Sequence, residues 1–347
     1  MVRRAAPVLL TAVVLAVSAL AADRPGSDLE PALYRLLTAE LRFSANDLAD
    51  LELGKAVKHT LPPTSPGEVA AVGGIRINTT KERFVAAYRD IVRFKRNPNV
   101  LQIGRFSSPP ALSDLDSLSI TSDDVNMREC RVGDCNVRLP ADGIHRFEKE
   151  IDWGKPDADA KAAALFKQMV FDNVRAYTAG GPGRMTQYDD DSRPVLPVED
   201  FRALLKSSPY IETAYPGLGA YLAGYPGEPM PGAEDFVYWS KEKFGFAPFI
   251  SVTHVTLAPA GAHEYIATTR DVYSSRYFDA SLALVIAGDS VNDPHAFYLF
   301  YVNRSRASAL RGAFARIRRS IVERRVRGSL DENLRDVKQR LEQPGSN

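Results

Sequence analysis

Cysteine, tryptophan and histidine are scarce in this chain, at two, two and five of 347 residues. Two cysteines cannot build a disulfide-dense scaffold or a four-thiolate zinc site. Neither sign of charge is in excess, with 44 Lys and Arg against 43 Asp and Glu, so bulk electrostatics argues against a nucleic-acid partner. After the first twenty residues no apolar run is long enough to span a bilayer. Internal repeats, low-complexity tracts and the G-x-S-x-G nucleophile elbow are missing. Gly180-Gly181-Pro182-Gly183 has no following Lys-Ser/Thr and no preceding strand pattern, which excludes a phosphate loop. Asp123-Asp124 and Asp189-Asp190-Asp191 lack the alternating spacing and glycine of a calcium loop and read as solvated loops. No motif specifies catalysis, and no metal or cofactor is expected.

What remains, 45% hydrophobic and 25% charged, is the composition of an ordinary globular protein. The chain opens with Arg3-Arg4, an apolar run from Ala5 to Leu20 and an A-x-A pattern at Ala19 and Ala21. That is the layout of a Sec-type signal peptide over 1–21, cut before Ala22, and it predicts a soluble protein in the periplasm or secreted. Losing Arg3 and Arg4 leaves 42 basic against 43 acidic residues, or −1. In an oxidising compartment Cys130 and Cys135 are expected to form a disulfide, with Gly133-Asp134 supplying the turn. Closing so short a loop contributes about 2 kcal/mol on the chain-entropy account. A redox pair would need C-x-x-C, and zinc would need more ligands than His145, the only nearby histidine.

Hydrophobic spacing at Leu29, Leu33, Leu36, Leu37 and Leu41 predicts a helix over 29–43, and Ser44 to Asp47 caps a short second helix at 47–53. A Pro-rich link closes this N-terminal segment, 22–66. A strand is predicted from about Glu68 to Ile77, then a helix over 79–95 behind a Thr79/Glu82 capping box. The middle, 98–234, carries helical patterns at 141–150, 157–179, 198–207 and 209–223, and the flanks of the cysteine turn could pair as a hairpin. Five β-rich segments follow at 235–244, 248–258, 264–273, 277–287 and 296–303, with connections short enough for an antiparallel meander. Two helices are expected after them, with a break near Gly328, where Ser329 and Glu332 form another capping box.

The order of strand, helix, antiparallel strands and long C-terminal helix resembles the START-like, or helix-grip, superfamily of Bet v 1 relatives and polyketide cyclases. GEVAAVGGIRINTTKERFVAAYRDIVRF resembles the opening of such domains, and FYLFYVNRSRASALRGAFARIRRSIVERR their final strand and helix. The resemblance rests on the two ends of the mature chain, which as a whole also resembles exported bacterial proteins of unassigned function. The resemblance implies an α+β fold over 67–342 with an elaborated middle, an antiparallel meander gripping the C-terminal helix, and a short tail at 343–347. It implies an apolar cavity for a hydrophobic molecule or lipid, and it carries no catalytic residues.

His254, mid-strand among β-branched residues, with Tyr238, Tyr273, Arg276 and Tyr301 on or beside neighbouring strands, forms the candidate ligand lining. The most unusual feature is a cluster of nine arginines between Arg304 and Arg327 against one acid, Glu323. Arg311, Arg318, Arg319 and Arg325 are its candidates for anionic lipid head groups, and pairing with acids elsewhere is the plainer alternative. Three functions follow: a carrier of a hydrophobic small molecule or lipid, a cyclase- or hydrolase-like enzyme using His254, and an envelope protein acting through the arginine helix in peripheral membrane contact.

Overall fold

The computed structural model describes residues 27–122, 124–245, 247–312 and 315–343. The signal-like segment, Asp123, Phe314 and the tail from 344 therefore lie outside the described residues.

The fold is α+β, built on one eight-stranded antiparallel sheet. Helix α1 (Pro31–Arg35) runs into a π-helical turn, and α2 (Ala45–Glu52) follows. The Ser44 side chain and the Asp47 carboxylate cap α2 reciprocally, as the spacing predicts. Strands β1 (Val57–Leu61) and β2 (Glu68–Ile77) form an antiparallel pair. Helices α3 (Lys81–Arg89) and α4 (Ile91–Phe94) come next, then β3 (Val100–Arg105). A long excursion holds α5 (Ala141–Glu150), α6 (Ala158–Gly180), α7 (Pro197–Lys206), α8 (Pro209–Ala214) and α9 (Leu218–Gly224). The meander β4 (Glu234–Phe244), β5 (Ala247–Pro259), β6 (Glu264–Ser274), β7 (Ala280–Asp289) and β8 (Phe297–Arg306) precedes α10 (Ala315–Glu342).

The strands lie in the order β1-β2-β8-β7-β6-β5-β4-β3. The first hairpin thus closes onto the last strand, and β3 covers the outer edge of β4. Both faces of the meander are covered, which explains why its strands carry large apolar residues on both sides. On one face, α1, α2, α7, α8 and α9 pack over Leu282, Leu284, Ile286, Phe300 and Val302. The neighbouring part of that face holds α5 and α6 over Trp239, Ile250, Val252, Val272 and Tyr273. On the opposite face, α3, α4 and the C-terminal half of α10 pack over Ile75, Val255, Leu257, Phe297 and Leu299. Gly73 permits the close approach of α10 to β2, since a Cβ there would stand 3.0 Å from Leu330 Cδ2 and 2.9 Å from Val57 O.

Cys130 and Cys135 are joined, with Cα atoms 4.4 Å apart. The expected hairpin of their flanks is absent; a single antiparallel bridge joins Arg131 and Asp134 within the closed loop. The expected helix 79–95 is two helices, because Asp90 leaves helical geometry and accepts the Arg93 N–H to cap α4. The expected break at Gly328 is absent, and α10 runs unbroken through it. Gly328 is solvent-exposed with nothing within 4 Å of its Cβ position, so the helix passes at the ordinary glycine cost of ~1 kcal/mol.

Candidate functional site

The sheet separates the five predicted lining residues. Tyr238 and Tyr301 belong to the face under α3, α4 and α10. Tyr273 belongs to the opposite face, under α5 and α6, and His254 also lies on that face, against Tyr177 of α6. Arg276 sits in the loop after β6, where it donates to the Asp124 carbonyl at 2.7 Å.

His254 is the centre of a closed network. Arg270 donates to its Nδ1 at 3.0 Å and 3.3 Å, and the Tyr177 hydroxyl lies 2.7 Å from the same atom. A guanidinium only donates, so Nδ1 is the acceptor and Nε2–H donates to Asp235 Oδ1 at 2.9 Å. Burial, followed by the Arg270 charge, pushes the imidazole pKa down to about 4. Arg270 itself is 2% exposed, stacked against Tyr177, Phe201 and Tyr225 at 5.0–5.3 Å and bonded to the Leu222 carbonyl. Neither ring nitrogen of His254 is left open to a substrate, so the network ties α6 and α9 to the sheet.

Tyr238 and Tyr301 border a second polar group on the other face. Lys95 pairs with Glu242 at 2.6 Å and lies 5.3 Å from the Tyr238 ring centroid. Asp271 sits beside them, partly reached by solvent, with the Thr253 hydroxyl 3.5 Å away. Close packing raises its pKa to about 7, despite the opposing charge of Lys95.

The geometry that suits a ligand is a cavity of about 290 Å3 between α5, α6 and the end of β6. Phe166, Val170, Leu139, Tyr188 and Tyr273 supply buried apolar walls. The Tyr273 ring meets Phe166 and Tyr188 edge-on at 6.1 Å and 6.0 Å, and its hydroxyl is already committed to the Arg138 carbonyl at 3.1 Å. Asn173 also lines the cavity. It is 9% exposed, its Oδ1 accepts from the Thr186 hydroxyl at 3.1 Å, and its Nδ2 has no partner. A buried amide donor left unpaired costs about 1–3 kcal/mol, so Asn173 is the member of the lining with an unmet hydrogen bond. Asp172 and Arg146 stand at the rim, each engaged with a neighbour on its own helix, Arg175 and Glu150.

Two other cavities, of about 280 and 640 Å3, lie against the 120–128 segment and along β3. Of the five predicted lining residues, only Tyr273 borders this cavity, and Asn173 was not among them. A lone Asn inside an amphipathic helix carries no motif, and only its position on the buried stripe with Val170, Val174 and Tyr177 marks it. Among the described residues no group of three His, Cys, Asp or Glu is arranged to hold a metal ion.

The fold and cavity define a class no narrower than an α+β protein with a small pocket between its helices and sheet. Comparison of the chain with protein-family models, curated proteins and solved structures finds no match in any of the three.

Proposed function

We propose that this is an exported protein that binds a small, mostly apolar molecule carrying one hydrogen-bond acceptor, in the cavity between α5, α6 and β6. The observation that carries the reading is the aromatic-walled cavity of about 290 Å3, with Asn173, whose buried Nδ2 has no partner, in its lining. That volume sits at the low end of the ~300–1,000 Å3 of small-molecule sites, so it suits a ring compound better than a two-chain lipid. The helix-grip resemblance supports a carrier in general terms but places the cavity under the C-terminal helix. The cavity favoured here lies on the opposite side of the sheet.

An acid–base reading is favoured by one observation, the carboxyl of Asp271 poised at about 7 beside Tyr238 and Tyr301. Binding remains the better-supported function, because no cavity described above contains Asp271.

Native mass spectrometry of the protein purified from its own source, followed by solvent extraction, tests the proposal. A retained small molecule with a ring and a carbonyl, ether or phenol oxygen is expected. An empty protein that stays empty after incubation with a total extract of its cell would overturn it.

A further inference from the structure

Three of the nine clustered arginines are committed to acids of the fold. Arg304 pairs with Glu68 at 2.5 Å, Arg306 with Asp200 at 2.8 Å, and Arg311 lies 3.5 Å from Asp200 and 3.8 Å from Asp279. The other six, Arg316, Arg318, Arg319, Arg324, Arg325 and Arg327, are on the first half of α10. Arg319 is half-buried and Arg318 reaches back to the Arg311 carbonyl. Arg316, Arg324, Arg325 and Arg327 are exposed, and none of them is in a described salt bridge.

Two large apolar side chains lie among them in water. Ile317 is 61% and Ile321 53% exposed, against the rule that an exposed helix face is polar. The inward stripe of α10 explains their direction. Val322 packs on Val69, Ala307 and Leu310, Val326 packs on the core, and Leu330, Leu334, Val337 and Leu341 are buried. At 100° per residue Ile317 and Ile321 fall on the side opposite that stripe. Arg318, Arg324 and Arg325 stand three or four positions from Ile321 and so are its direct neighbours.

We infer that this outward face of α10, with Ile317 and Ile321 at its centre and Arg324 and Arg325 beside them, docks the protein on an anionic phospholipid surface. Arginines alone would suit any polyanion. Exposed isoleucines ringed by guanidinium groups suit an interface with apolar depth beneath negative charge, and that is a lipid head-group layer. No helix among the described residues is long and apolar enough to cross a membrane, so the contact is peripheral.

Co-sedimentation of the full chain with vesicles of 70:30 phosphatidylcholine and phosphatidylglycerol, against pure phosphatidylcholine, tests this. Arg324→Gln/Arg325→Gln and Ile317→Ser/Ile321→Ser are compared in the same chain, so any contribution of the N-terminus is common to all. Because all four side chains are exposed, the variants keep the wild-type circular dichroism. Binding to anionic vesicles only is expected. The arginine pair should weaken it by about thirty-fold, the isoleucine pair by about tenfold, and 0.5 M salt should release most of the protein. Equal binding to both vesicle types, wild-type binding by either variant, or retention on heparin without vesicle binding would overturn the inference.

Discussion

Replacing Asn173 with leucine should stabilise the protein while removing its ligand. The substitution takes away one hydrogen bond, from Thr186 to Oδ1 at 3.1 Å, worth about 1 kcal/mol net. It also removes an unpaired buried amide N–H, whose desolvation costs about 1–3 kcal/mol. Leucine shares the branching of asparagine at Cγ but is larger, and its extra volume extends the apolar wall of Phe166 and Val170 into the cavity. The balance is a gain of about 1 kcal/mol. For a chain of this size the melting entropy is about 0.7 kcal/mol/K, so the shift in Tm is only ~1–2 °C. Urea denaturation resolves it better, because at an m of about 3 kcal/mol/M the midpoint should rise by ~0.3 M. Thr186→Val is the internal control: it strands Oδ1 as well and should lower the midpoint by a similar amount. A fall in midpoint for Asn173→Leu would refute the reasoning. It would mean that Nδ2 is bonded inside the protein and serves the fold.

Four further outcomes follow from the buried charges and the staple. Asp271 binds its proton more tightly folded than unfolded, with a pKa of about 7 against 3.8, so stability falls as pH rises between those values. Asp271→Asn should flatten that slope and be more stable than wild type at pH 8 by on the order of 4 kcal/mol, and an NMR-measured pKa below 5 would contradict it. His254 works in the opposite sense, with a folded pKa of about 4 against 6.5. Its contribution is complete above 6.5 and is lost as pH falls towards 4, which His254→Gln should abolish in pH-dependent denaturation. Asp279, whose side chain is 0% exposed, holds Arg138 at 2.6 Å and the Ser308 hydroxyl at 2.7 Å. Asp279→Ala should cost about 3–5 kcal/mol by urea titration. Cys130→Ser with Cys135→Ser should cost about 2 kcal/mol, and no change under reducing conditions would argue that the bridge is idle.

The meander was legible because each strand has its own apolar run and turn chemistry. The expected bounds of the strand at Glu68–Ile77 and of the helix at 141–150 match the structure. β1 was not legible, since VKHTL is short, half polar and runs into Pro62-Pro63, and becomes a strand only through its pairing with β2. The break expected at Gly328 rested on local capping signals, which lost to the continuous packing stripe of α10. Grouping Tyr238, His254, Tyr273 and Tyr301 into one lining failed for a geometric reason. Residue parity decides the face within a strand, but relative parity between strands is set by register, and a bulge between Val252 and Thr253 shifts it. The arginine cluster was visible as composition, while its division into three paired and four exposed unpaired residues required the positions of Glu68, Asp200 and Asp279.

The central claim is that a small molecule occupies the cavity lined by Asn173 and Tyr273. Native mass spectra of the wild type, Asn173→Leu and Ala176→Trp, recorded after incubation in the same cell extract, test it most directly. Ala176 is exposed where it lines the cavity, so tryptophan there blocks entry without entering the core. The account predicts one added mass on the wild type and none on either variant. The same added mass on all three proteins would place the ligand elsewhere and contradict it.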